Sequence, residues 1–183
     1  MFYGTEEQSV ISEIYHCAGF DYRYDERGNQ NHVWYCGLDG SYIEPELFGV
    51  KMNYKIYDDY GNLTWDSYYH YDGINYQKAV RKDLGYFAVN NIYDKKVLTS
   101  REYLDEDEIW VINQSQGYAS VDYTYDSQGR IVDETYYDQE GYIINCTKGY
   151  ARIEYLYDDS GNEKERVYRD KREMEEGLTD AFE

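Results

Sequence analysis

The side chains in this sequence that are best suited to binding a ligand are the aromatic rings. The chain has 26 Tyr, 3 Trp and 5 Phe among 183 residues. A flat aromatic face bordered by carboxylates suits the stacking of sugar rings, and the largest candidate platforms are Trp34, Trp65 and Trp110. Alternatively, tyrosines on one face of a sheet form cross-strand contacts, which add roughly 0.2–1 kcal/mol per pair.

The acidic residues concentrate in predicted turns, where their oxygens could bind calcium. A calcium loop places oxygens at alternate positions, as in D-x-[DN]-x-[DN]-G. The turn that begins at Asp158 reads D-D-x-G-N, which places only one side chain correctly. We therefore interpret these carboxylates as turn formers on solvated edges. Residues 105–108 are the strongest single calcium candidate.

The remaining reactive side chains do not form a recognisable metal or cofactor motif. The cysteines Cys17, Cys36 and Cys146 are widely spaced, no CxxC occurs, and the chain has 3 His. This pattern predicts no metal site and favours free buried thiols, with a disulfide within one pair of cysteines as the alternative. Repeated acids in turns also lack the single concave site that a pair of catalytic carboxylates needs in a glycosidase. We therefore expect no cofactor, no catalytic residues and no enzymatic activity.

These side chains are carried by an internal repeat. Gly117 and Gly149 begin two copies that are 32 residues apart and match without a gap. Self-similarity at a fixed period is the signature of a repeat architecture. The matching pairs are Tyr118/Tyr150, Ala119/Ala151, Tyr123/Tyr155, Tyr125/Tyr157, Asp126/Asp158, Gly129/Gly161, Tyr136/Tyr168 and Asp138/Asp170.

Each copy reads as two strands and two turns. Residues 120–125 alternate strictly between apolar or aromatic and polar side chains, which is typical of a half-buried strand. Asp126 then opens a turn, and Gly129 supplies the positive φ of a type I turn with a left-handed bulge. The pattern predicts an all-β fold, in which antiparallel hairpins form a meander in an extended sheet or a solenoid-like array.

More divergent copies precede this pair, at residues 19–29, 54–62 and 85–94. We expect five repeats between residues 19 and 170. In the third copy, residues 95–97 read Lys-Lys-Val where the turn glycine is expected, which predicts a tighter or distorted hairpin.

Both ends of the chain depart from the repeat. Residues 1–18 are predicted to be a cap, in which Thr5 and Gln8 have the form of a helix capping box. A short helix through Val10, Ile11 and Ile14 would follow, although these residues also suit a strand. Residues 171–183 are charged and predict a tail or a short helix.

The turn sequences resemble the YD repeat of RHS-type proteins, whose pattern is Y-x-Y-D-x-x-G-R/N followed by an apolar residue. Residues 123–131 read YTYDSQGRI, and residues 155–162 read YLYDDSGN. Residues 24–29 and 57–62 also match, so the resemblance covers residues 20 to 170. It implies an extended β-array of bacterial origin, on a surface or toxin protein. The 32-residue period is longer than is usual in that family.

The net charge and the hydropathy of the sequence argue against several classes of function. The formal net charge is −19, which argues against nucleic acid as a partner because phosphates demand a positive surface. No apolar run approaches the roughly 20 residues that a membrane helix needs, and residues 1–20 do not read as a signal peptide. We predict a structural or adhesive β-repeat module with a cell-wall or surface glycan as its partner. If the module belongs to a longer chain, we expect it to lie extracellularly or at the cell surface. The alternative is an acidic protein that occupies the basic groove of a protein partner.

Overall fold

The structure, a computed structural model, describes residues 10–174 and confirms the predicted all-β meander. An 11-stranded antiparallel sheet has the order β1-β2-β3-β4-β6-β7-β8-β9-β10-β11, and β5 pairs with β4. The strands are β1 (Gly19–Tyr24), β2 (Gln30–Cys36), β3 (Met52–Tyr57), β4 (Leu63–Tyr71), β5 (Tyr76–Lys78), β6 (Ala88–Asp94), β7 (Val97–Leu104), β8 (Ser120–Tyr125), β9 (Ile131–Tyr137), β10 (Arg152–Tyr157) and β11 (Glu163–Arg169).

The chain divides into two compact units. The first contains the residues up to Asn90 together with Asp105–Glu108, and the second contains Asn91–Leu104 and the residues from Ile109 onward. In the first unit Val50 and Phe87 are fully buried. In the second, a core cluster of Val121, Tyr136, Cys146 and Ile153 packs against partly buried tyrosines at 118, 123, 150 and 155.

The turns of the long hairpins follow from one aspartate and one glycine. Asp126 Oδ1 accepts the backbone N–H groups of Gln128 at 2.9 Å and Arg130 at 3.0 Å. The Arg130 backbone N–H is the main reason that the pKa of Asp126 lies below its usual range. Gly129 has a φ of 79°, its N–H donates to the Asp126 carbonyl at 3.0 Å, and the Asp126 N–H donates to the Arg130 carbonyl at 3.0 Å, which is the bonding of a type I turn with a left-handed bulge. The predicted turn is therefore confirmed.

Positive φ recurs at a regular spacing along the chain. Gly117, Gly129 and Gly141 lie 12 residues apart, and all three have φ near 80°. In the first copy the equivalent of Gly117 is His16, eight residues before Tyr24, and His16 has a φ of 51°. A residue with a Cβ is uncommon in this conformation, so the first copy keeps the backbone of the repeat at a position where it has histidine and not glycine.

The third hairpin is tighter than the others, as predicted. Strand β6 ends at Asp94 and β7 begins at Val97, so the turn has two residues, and Lys95 has a φ of 59°. In the β8–β9 hairpin, by contrast, five residues separate the strands. Two-residue turns of this kind need positive φ, so the shorter loop replaces the glycine bulge.

The prediction of an N-terminal helix is wrong for the part of that segment that the structure describes. Residues 10–12 have no regular structure and residues 13–15 form a turn. Ser12 Oγ accepts the backbone N–H groups of Ile14 and Tyr15, both at 3.2 Å, and the Ser12 carbonyl accepts that of His16 at 2.8 Å. These bonds resemble the first turn of a helix, but His16 has a φ of 51°, a left-handed conformation that ends the turn before a helix can extend. Thr5 and Gln8 lie outside the described residues, and residues 171–174 form one helical turn at the start of the C-terminal tail.

Neighbouring hairpins are joined by short ladders and by tyrosine hydroxyl groups. Strands within the β8–β9 hairpin share six residue pairs, whereas β9 and β10 share three. Near the hairpin turns, where the ladder between hairpins has ended, a tyrosine hydroxyl bridges the gap. It donates to a carbonyl of the preceding hairpin in three cases: Tyr57 to Gln30 at 3.1 Å, Tyr125 to Leu98 at 2.7 Å, and Tyr157 to Ile131 at 2.7 Å.

Removal of one bridging hydroxyl should weaken the fold measurably. We expect Tyr125→Phe to lower the free energy of unfolding by about 1 kcal/mol, because the Leu98 carbonyl loses its donor. The matched control is Tyr24→Phe, since Tyr24 has the same place in the first hairpin and its hydroxyl makes no hydrogen bond to the residues that the structure describes. Urea denaturation should show a change of no more than a few tenths of a kcal/mol for the control. Equal effects of the two substitutions would contradict the bridging role.

Candidate functional site

The first unit contains a groove lined by aromatic rings from three different segments. The indole of Trp34 stacks on Tyr42, with ring centroids 4.5 Å apart and planes at 18°. Tyr71 stacks on Tyr76 at 4.8 Å and 29°, and the Tyr71 ring meets Trp34 edge-on at 82°. The two stacked pairs thus form adjoining walls of a groove of about 410 Å³.

Local turns bring these rings together. Trp34 lies in β2, and Tyr42 returns beside the end of that strand through a bridge to Cys36. Tyr71 and Tyr76 are directly paired across β4 and β5. Asp72 closes the turn between them by accepting the backbone N–H groups of Ile74 and Asn75, both at 2.8 Å. Each wall therefore rests on a short hairpin connection.

Polar groups line the rim of the groove. The Tyr42 hydroxyl donates to Asp21 Oδ2, and Arg23 Nη2 lies 3.3 Å from both Asp21 Oδ2 and the Tyr42 oxygen. The hydrogen bond from Tyr42, followed by the charge of Arg23, lowers the pKa of Asp21 below its usual range. Asp21 is therefore an ionised acceptor near neutral pH, and its charge is compensated locally by Arg23.

His32 supplies a neutral polar edge to the same groove. Burial, followed by the charge of Arg23, lowers the pKa of His32 below 6.5, so the ring is neutral at pH 7. Its Nδ1 lies 2.9 Å from the side-chain oxygen of Asn31, which can only accept, so Nδ1 carries the proton. The other ring nitrogen, Nε2, is left as a hydrogen-bond acceptor. The groove thus offers a donor in Arg23 and an acceptor in His32.

The three predicted tryptophan platforms do not come together in one site. Trp34 lines the groove but is buried, with 6% of its surface exposed, because Tyr42 covers its face. Trp65 is half-buried and packs against Phe87 at 6.3 Å. Trp110 lies in the second unit, where it forms a bridge with Leu104.

The sequence did not single out the other lining residues as a binding site: Tyr42, Tyr71 and Tyr76 of the walls, and Arg23, Tyr24, Asn31 and His32 of the rim. One signal was available, because Tyr71 and Tyr76 flank an Asp-Gly turn and must pair across it if that turn closes a hairpin.

The second unit contains a smaller cavity of about 270 Å³ along a row of tyrosines. Tyr118, Tyr136, Tyr150 and Tyr168 are in successive contact, with centroid distances of 4.6, 5.9 and 4.8 Å. This is the cross-strand arrangement that the sequence offered as the alternative to a sugar platform. Glu134 accepts the hydroxyl groups of Tyr136 at 2.9 Å and Tyr155 at 2.5 Å. Burial, followed by the bond to Glu134, raises the pKa of Tyr155.

The carboxylates of the acidic turns accept hydrogen bonds from backbone N–H groups of the same turns. Asp158 Oδ1 accepts the N–H groups of Ser160 and Asn162, both at 2.9 Å, and these bonds lower the pKa of Asp158. Asp105 accepts the N–H of Asp107 at 3.0 Å, and Glu108 pairs with Lys78 at 2.7 Å. Within residues 10–174, no three His, Cys, Asp or Glu side chains are grouped so that they could hold a metal ion.

No protein-family model and no curated protein corresponds to this chain. Among the described residues, none forms a helix that is long and apolar enough to span a membrane.

Proposed function

We propose that the chain is a non-enzymatic β-repeat module, a structural or adhesive segment of a bacterial surface protein, and that it binds carbohydrate in the groove of the first unit. The observation that carries this proposal is the corner formed by the stacked pairs Trp34–Tyr42 and Tyr71–Tyr76. The turn resemblance to YD repeats supports the bacterial β-array.

Carbohydrate matches both chemical components of the groove. The C–H face of a pyranose ring is apolar and flat enough to lie on a tyrosine ring, whereas its hydroxyl groups need donors and acceptors at the edge. Tyr76 is 51% exposed and offers such a face. Arg23 and the neutral His32 supply a donor and an acceptor at the rim. The pairing of Asp21 with Arg23 also avoids a strong local field, which suits a ligand with little or no charge.

The groove favours binding over catalysis. A general acid needs a pKa close to the working pH, whereas the pKa of Asp21 is lowered below its usual range. The bonds of this carboxylate to Tyr42 and Arg23 instead fix the ring of Tyr42 in the wall. In the proposed function Asp21 is a positioning residue for the aromatic surface.

The substitution Tyr76→Ala should show whether carbohydrate binds in the groove or elsewhere on the surface. We expect it to weaken binding of the best oligosaccharide about tenfold, the loss of one aromatic stacking contact. The control is Tyr60→Ala, because Tyr60 is 57% exposed, lies in the same unit and does not line the groove. Isothermal titration calorimetry should follow a screen of neutral and acidic oligosaccharides, with circular dichroism to show that both variants fold.

Two results would contradict the carbohydrate proposal. One is the failure of every oligosaccharide in the screen to bind at millimolar concentration. The other is equal weakening of binding by Tyr76→Ala and Tyr60→Ala, which would place the contact elsewhere.

A further inference from the structure

The interface between neighbouring hairpins recurs along the chain with the same geometry. Strands β2 and β3 share three residue pairs, as do β7 and β8, and β9 and β10. Tyr57, Tyr125 and Tyr157 each add a hydroxyl bond to the hairpin before them. One hairpin therefore recognises the next through a short ladder and a tyrosine at a fixed place.

Strand β1 presents this recognition surface, and no hairpin within residues 10–174 lies against it. Tyr24 is the equivalent of Tyr57, Tyr125 and Tyr157, since each precedes the turn aspartate by one residue. Tyr24 is 60% exposed, and its hydroxyl has no hydrogen bond within residues 10–174. Tyr22, on the same face, is 42% exposed.

Strand β11 presents the complementary surface. The acceptors in the chain are the carbonyl groups of Gln30, Leu98 and Ile131, and the ladder pairs Gln30 with Tyr24 and Ile131 with Tyr125. In the last hairpin Glu163 has this position, since it pairs with Tyr157. Most of β11 is exposed, and among the strands of the described residues it is paired with β10 on one side alone.

We propose that the edge of β1 docks against the edge of β11 of a second copy of this chain, with the Tyr24 hydroxyl donating to the Glu163 carbonyl. The occupant is argued from continuity, because this contact would repeat the interface already present between consecutive hairpins. The two surfaces differ, so the contact is heterologous and each added copy leaves one β1 edge and one β11 edge open.

The register of the contact follows from β9 and β10. There Thr135 pairs with Arg152, Glu134 with Ile153, and Asp133 with Glu154. The equivalent pairs between copies are Val167 with Gly19, Arg166 with Phe20, and Glu165 with Asp21.

Two side-chain contacts then set the strength of association. Arg166, which already lies 5.1 Å from the Tyr155 ring centroid, would reach the ring of Tyr22 in the second copy. Glu165 would lie opposite Asp21, and like charges directly opposite each other in a ladder are destabilising. Association should therefore be weak, and reversal of the charge of Glu165 should strengthen it.

Sedimentation velocity over a range from micromolar to millimolar protein, in buffer with enough salt to screen the net charge, tests the proposal. The wild-type chain should give a mass that rises with concentration from that of the 21.9 kDa monomer. Glu165→Lys should strengthen association about fivefold. Its control is Glu140→Lys, which makes the same change in charge in an exposed turn of the second unit.

The hydroxyl contact has its own pair of variants. Tyr24→Phe removes one oxygen and should weaken association about fivefold, whereas Tyr60→Phe should leave it unchanged. A chain that stays monomeric at every concentration, both as wild type and as Glu165→Lys, would overturn the proposal. Equal strengthening by the two lysine variants would also overturn it, as would association that Tyr24→Phe leaves unchanged.

Discussion

Replacement of Gly117 by alanine should destabilise the chain by about 3 kcal/mol, more than the same change at any freely exposed turn. Gly117 has a φ of 82°, which costs a residue with a Cβ about 1 kcal/mol. A Cβ built there would also lie 2.8 Å from the Thr147 backbone nitrogen and 3.0 Å from its methyl group. Backbone atoms at this distance must move, and such overpacking typically costs a further 1–3 kcal/mol.

Gly149 is the matched control, because it has the equivalent position in the next copy. Its φ is 91°, and a Cβ there meets no atom within 4 Å. Gly149→Ala should therefore cost only about 1 kcal/mol, the conformational part alone. Comparison of the two variants by urea denaturation separates the cost of a positive φ from the cost of the steric contact with Thr147. Equal losses of stability would mean that Thr147 moves aside at little cost.

Phe87→Ala should destabilise the first unit by about 3–5 kcal/mol, the range for a large buried aromatic side chain. Phe87 is fully buried, and the rings of Tyr69 and Trp65 meet it edge-on at 5.5 and 6.3 Å. Truncation removes these contacts and leaves a cavity. Trp65 reports the change directly, so tryptophan fluorescence during urea unfolding is the appropriate measurement.

Phe87→Leu tests whether the lost volume is responsible. Leucine keeps much of the apolar volume, and we expect a cost below about 1.5 kcal/mol. A loss below 1 kcal/mol for Phe87→Ala would show that Trp65 and Tyr69 can close over the gap. The fully buried position of this side chain would then contribute little to stability.

The regular part of the fold could be predicted from the sequence because it depends on local rules. The alternation of residues 120–125 and the Asp126–Gly129 turn each fix their own conformation within a few residues. The same rules identified the third hairpin, where loss of the turn glycine accompanies a two-residue turn at Lys95. The repeat made these local signals unambiguous by presenting them several times.

The aromatic groove could not be predicted because it depends on contacts between segments that lie outside the repeat pattern. Trp34 was identified as an open platform, but Tyr42 folds back over its face. Tyr71 then approaches from a different hairpin and forms the second wall. The spacing of residues in the sequence does not indicate any of these contacts. The N-terminal helix was wrong for a different reason, since the positive φ of His16 ends the single helical turn after Ser12.

The short ladders between hairpins also determine how the chain would respond to tension. When the ends are pulled apart, each junction opposes the force with three residue pairs and, where it is present, one tyrosine hydroxyl bond. These bonds would break one after another, so each junction should yield at low force. Complete extension of one freed 32-residue copy would release about 110 Å of chain. Under load, the array would behave as an extensible tether that lengthens one copy at a time.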